Sequence, residues 1–177
     1  DGILSFIFVK RTGFDTDPST VDVKVTGGKA IPFYIVGETE DEEWEKAIKT
    51  MEDTYVQLVS DKALVTLPSR DYVKHPIADV EAMFDTIHKM IDLDDQLAGF
   101  NNSSPENMKT RNRINYLVDV YTPAPESDKY YAYAAEYFIG MKRDNFTALT
   151  EDLGTEWGYW HETGHTYQQR SWMFNAI

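Results

Sequence analysis

Short apolar runs and alternating segments open the chain, and helical spacing takes over later. Residues 4–9 form a short apolar run, which predicts a buried strand. Val21, Val23 and Val25 alternate with Asp22 and Lys24, the period-two pattern of a half-exposed strand. Gly27-Gly28 predicts a turn, and residues 31–36 a third strand. In residues 40–51, Trp44, Ile48 and Met51 share one side of an otherwise charged segment, the spacing of a surface helix. Residues 56–59 and 63–67 predict two short strands joined by a turn at Asp61-Lys62.

The longest helical signal spans residues 76–97. Val80, Met83, Phe84, Ile87, Met90 and Ile91 recur at helical spacing, with Pro76 before the stripe and Gly99 after it as start and stop residues. Asp92, Asp94 and Asp95 cluster near its end. They read as a solvated helix face, since no loop of calcium-binding spacing surrounds them. Residues 99–113 are polar and predict an exposed loop, residues 114–121 a strand, and residues 123–128 a second loop. Residues 130–139 carry Tyr130, Tyr131, Tyr133, Tyr137 and Phe138, a core or edge strand or a binding edge beside a cleft. In Asp15-Thr16-Asp17-Pro18 a turn is preferred over a metal loop.

Composition narrows the function classes. Apolar residues make up 42% of the 177, a folded profile. Lys and Arg number 17 against 30 acidic residues, a net charge of −13, which repels nucleic-acid backbones and anionic lipid. The absence of Cys removes disulfides, thiolate metal sites and thiol nucleophiles together. No apolar run reaches the roughly 18 residues a spanning helix needs. The start at Asp1-Gly2-Ile3 and the finish at Phe174-Asn175-Ala176-Ile177 read as those of a piece of something longer.

Chemistry concentrates in His161-Glu162-Thr163-Gly164-His165, which holds two of the four histidines as H-E-x-x-H. On a helix the two imidazoles lie one turn apart on one face and can reach a single metal ion. Glu162 then lies beside a metal-bound water and can accept its proton. Two neutral imidazoles suit zinc. Thr155 is the expected N-cap of this helix, and Gly164 admits either a neighbouring segment or tight helix packing. Gln168 and Ser171 stand where a metzincin has Gly and His, which excludes that class. Residues 166–177 contain no Asp, Glu, His or Cys, so a third protein ligand comes from upstream, where His75, His88 and several glutamates are available, or from beyond Ile177.

The run from Trp157 to Gln168 resembles the active-site helix of the M60-like peptidases, the family of viral enhancins and bacterial mucin-degrading enzymes. Its H-E-x-G-H, with Trp160 before it and Gln168 three residues after it, carries the resemblance. Residues 31–37, Leu67-Pro68-Ser69 and residues 130–139 extend it more loosely over residues 20–177. The resemblance implies an α+β, zincin-like metallopeptidase domain of gluzincin type. The strand patterns make residues 1–37 a β-rich N-terminal part or subdomain, and on this view residues 38–177 are the N-terminal portion of the catalytic domain, cut short at its C-terminus.

It further implies a secreted or surface zinc endopeptidase acting on protein, including mucin-type glycoprotein, with His161 and His165 as Zn2+ ligands and Glu162 as general base. The family's third ligand, a downstream glutamate, has no counterpart in this chain, which in isolation is therefore expected to bind zinc weakly and turn over little. The competing reading is a non-catalytic carbohydrate- or glycoprotein-binding module with a vestigial or incomplete metal site.

Overall fold

The computed structural model describes residues 22–50, 54–109, 112–119, 132–135, 138–142 and 153–168. The chain divides into two compact units, Asp1–Ala30 and Ile31–Ile177. In the first, the described residues 22–30 carry no strand, and Val23 and Val25 are exposed. The turn at Gly27-Gly28 stands, with both glycines at positive φ, a region open to them at no steric cost. The expected strand at 4–9, the acidic turn at 15–18 and the loop at 123–128 lie outside the described residues.

The second unit is an α+β domain built on one mixed sheet. Its strands are β1 (Phe33–Ile35), β2 (Tyr55–Val59), β3 (Ala63–Pro68), β4 (Ile114–Asp119), β5 (Ala132–Ala134) and β6 (Ile139–Lys142). They lie in the order β1-β2-β3-β4-β6-β5. Only the β2–β3 and β5–β6 pairs are antiparallel. β1 pairs in parallel with β2 and so belongs to this sheet. The β2–β3 hairpin forms as expected: Val56 and Leu58 alternate inward, and Ser60 closes the turn by bonding Ala63 at both backbone and hydroxyl.

Among the described residues four α-helices accompany the sheet: α1 (Asp41–Lys49), α2 (Ser69–Lys74), α3 (Val80–Ala98) and α4 (Trp157–His165). In α1, Trp44 is buried edge-on to Tyr34 and Tyr72, and its indole N–H donates to the Tyr72 hydroxyl at 3.0 Å. The short α2 was not expected from the pattern. The predicted stripe of α3 is buried throughout, from Val80 to Ile91, against the sheet. Its start differs from expectation: the helix begins at Val80, and Asp79, rather than Pro76, caps it by accepting from the Ala82 N–H at 2.8 Å. Its end is the expected Gly99, at φ 80°, with Phe100 N–H reaching back to the Asp95 carbonyl.

Two further expectations change. Residues 130–139 do not make one strand. The described part folds back as the β5–β6 hairpin, closed by Ala135 N–H to Phe138 O at 2.8 Å. Tyr133 faces Gly140 across it, and a methyl group at 140 would overlap the Tyr133 ring. The acidic cluster on α3 is not a uniform solvated face. Asp92 pairs with Lys62 and Lys109, but Asp95 is only 3% exposed and pairs with Lys109 at 3.2 Å.

His88 on α3 meets the Ser60 hydroxyl at 2.8 Å. Burial first, and the Lys62 ammonium second, hold its imidazole below the ordinary 6.5. The unfolded chain then takes up this proton more readily than the folded one. Stability is unaffected above about pH 6.5 and falls as the pH drops from there toward the folded value. Denaturant unfolding between about pH 7.5 and about pH 5 should show that loss, and His88→Gln should flatten it. An unchanged slope in the variant would assign the acid sensitivity elsewhere.

Candidate metal centre

Helix α4 presents two opposite faces. Tyr159 and Thr163, four apart, point inward and are 3% and 0% exposed. The Thr163 hydroxyl donates to the Tyr159 carbonyl at 2.7 Å, so its oxygen is left to accept from the Tyr116 hydroxyl on β4 at 2.8 Å. Burial pushes both Tyr116 and Tyr159 phenols up, keeping them neutral. The helix thus docks through a polar knot inside the core. Its N-cap is Glu156, without a side-chain cap bond, in place of the expected Thr155.

The C-terminal turn is tied down separately. The Tyr167 hydroxyl has Asp95 Oδ1 at 3.1 Å and the Ile91 carbonyl at 3.3 Å as acceptors, and its ring lies near Phe100. Burial and then the Asp95 charge push this phenol up. Asp95, Lys109 and Tyr167 therefore fasten the end of α4 to α3, a support that pattern reading missed. Asp95 does follow Ile91 by four residues, continuing the apolar stripe, and that spacing was its available signal.

The outward face carries Trp157, His161 and His165 at successive four-residue steps. Trp157 is 70% exposed and stacks on the His161 ring, with centroids 4.3 Å apart and planes 27° apart. His161 and His165 meet edge to face, their Nε2 atoms 3.0 Å apart. His165 Nδ1 lies 2.8 Å from Gln168 Oε1, which can only accept, so Nδ1 carries the proton. The lone pair of His165 then sits on Nε2, where it accepts from His161 Nε2–H.

A ligand atom from each of His161, Glu162 and His165 lies within 4.8 Å of the other two. Two nitrogens bound to one tetrahedral zinc at about 2.0–2.1 Å stand about 3.3 Å apart, so the 3.0 Å seen here needs only a slight opening once the shared proton leaves. The donor set fits zinc on that test. Among the described residues no further His, Asp or Glu joins the group. His75 is exposed at the end of α2 and His88 is engaged with Ser60, so neither upstream histidine takes part. Gly164 has nothing within 4 Å of a built Cβ, so tight packing among the described residues does not account for it. A methyl group at Gly158 would stand an ordinary 3.9 Å from the Ala132 side chain of β5, the edge strand that lies beside α4.

The family profile "Peptidase M60, enhancin and enhancin-like" matches residues 27–177. A TRPM8 channel-associated factor homolog from Xenopus laevis is 26% identical over 175 residues, covering 97% of this chain and 18% of its own length. A conserved protein of unknown function from Bacillus anthracis superimposes with a TM-score of 0.73 at 22% identity, over 86% of this chain and 32% of that one. The M60 catalytic domain of Clostridium perfringens ZmpC, solved with the sialyl T antigen, gives 0.68 at 19%, over 85% and 31%. The chain therefore spans under a fifth of the curated relative and about a third of these solved chains. Among the described residues no helix is long and apolar enough to cross a membrane.

Proposed function

The chain belongs to the peptidase M60, enhancin and enhancin-like family, and from that premise we propose that it carries the metal-binding helix of a zinc-dependent endopeptidase. Its substrates on this reading are extracellular proteins, including mucin-type glycoproteins, and it works outside the cell or at its surface. The observation that carries the reading is the pair of Nε2 atoms 3.0 Å apart with Glu162 beside them.

His161 and His165 would hold the ion through Nε2, and a ligand from outside the described residues would complete its protein set. Zinc, when bound, supplies Lewis acidity toward a water and the scissile carbonyl. Glu162 takes the proton of the attacking water and passes it to the leaving amine. The β5 edge beside α4 offers backbone groups on which an extended substrate could pair as an added strand.

The test is metal content together with cleavage, on the full-length protein. One zinc per chain is expected, with cleavage of a glycoprotein that stops on chelation and returns with zinc. A second reading, a non-catalytic carbohydrate- or glycoprotein-binding module, has two observations in its favour. No third ligand is present among the described residues, and one relative is named for association with a channel. Binding of glycoprotein without zinc and without cleavage would favour the module.

A further inference from the structure

We propose that Gln168 is a positioning residue that sets the tautomer and orientation of His165 and so makes its Nε2 available to the metal. The inference rests on the zinc reading above and deepens it. Helix α4 ends at His165, and the chain turns through Thr166 and Tyr167, so that Gln168 folds back under the last ligand. Its backbone N–H donates to the His165 carbonyl at 3.2 Å, while its side-chain Oε1 accepts from His165 Nδ1–H at 2.8 Å. One residue thus grips the same histidine at both main chain and ring.

The turn is tied at two points. The Tyr167 hydroxyl is bonded between α3's Ile91 carbonyl and Asp95, and Thr166 Oγ1 donates to the Thr163 carbonyl at 2.7 Å. Gln168 is consequently presented to His165 by a turn whose two preceding residues are held by hydrogen bonds.

The chemistry needs such a partner. A neutral imidazole binds metal through its unprotonated nitrogen, so the proton must be kept on the other one. An acceptor fixed at Nδ1 does this, and it holds the ring against rotation about its bond to the chain. His161 is held by different means, stacking on Trp157 without a hydrogen bond at Nδ1 among the described residues. Gln168 therefore bonds one ligand directly, and its removal should show first on that ligand.

The experiment compares wild type, Gln168→Leu and Gln168→Glu in the full-length protein. Gln168 is exposed, and the leucine variant preserves its bulk. In the metal-free protein, at a pH where both imidazoles are neutral, two-bond proton–nitrogen NMR reads each tautomer directly. His165 is expected as the Nδ1–H form in wild type and Q168E, and as mainly the Nε2–H form in Q168L. Zinc affinity, measured by competition with a chelator, should fall about 10–100-fold in Q168L and be restored in Q168E. Unchanged tautomer and affinity in Q168L would overturn the proposal. A wild type that takes up no zinc would remove the metal reading, while the tautomer spectra would still decide whether Gln168 governs His165.

Discussion

Glu162→Gln is expected to lower glycoprotein cleavage by about 10²–10⁴-fold while leaving the zinc content of the protein unchanged. The substitution keeps shape and hydrogen-bonding length but removes the basic lone pair. Glu162 follows the first histidine directly and is half-buried beside the two Nε2 atoms, so on the proposed reading it would reach the attacking water while the two histidines hold the ion. Cleavage rate and elemental zinc, measured on the same preparation, separate the roles. Undiminished cleavage would remove Glu162 as general base. Loss of zinc along with activity would instead make it a ligand.

Much of this arrangement is readable from residues in order. The β2–β3 hairpin follows from alternation, and the stripe of α3 from helical spacing, because both patterns are long enough to repeat. The meeting of His161 and His165 is legible because two side chains one helical turn apart need no tertiary information to meet. What escaped reading has physical reasons. Helix α2 is six residues long and too short for a period to show. The sequence between β5 and β6 has no Gly, Pro, Asn or Asp, so nothing local announces the reversal. Pro76 and Asp79 are both start signals, and only the reach of a carboxylate to the Ala82 N–H decides between them. Lys109 and Tyr167 come from distant segments, and only the folded chain brings them to Asp95.

The motif leaves Thr163 as a variable position, yet its side chain is the inner anchor of α4. Thr163→Val is expected to cost about 1–3 kcal/mol in urea unfolding. The valine removes the acceptor of the Tyr116 hydroxyl, and at 0% exposure Tyr116 has no water to replace it. The bond to the Tyr159 carbonyl matters less, because that carbonyl already sits in the helical ladder. Tyr116→Phe alone should cost about 0.5–1.5 kcal/mol, since Thr163 keeps its bond to Tyr159 and strands no donor. Combining the two removes donor and acceptor together, so the double variant should be more stable than Thr163→Val by itself. Simple additivity of the two losses would show that the hydroxyl pair is not coupled, and would leave apolar packing as the main tie between α4 and the sheet. If the pair is coupled, the inward face of α4 fixes the height at which His161 and His165 stand above β4, and the same Thr163→Val protein should bind zinc more weakly with both histidines intact.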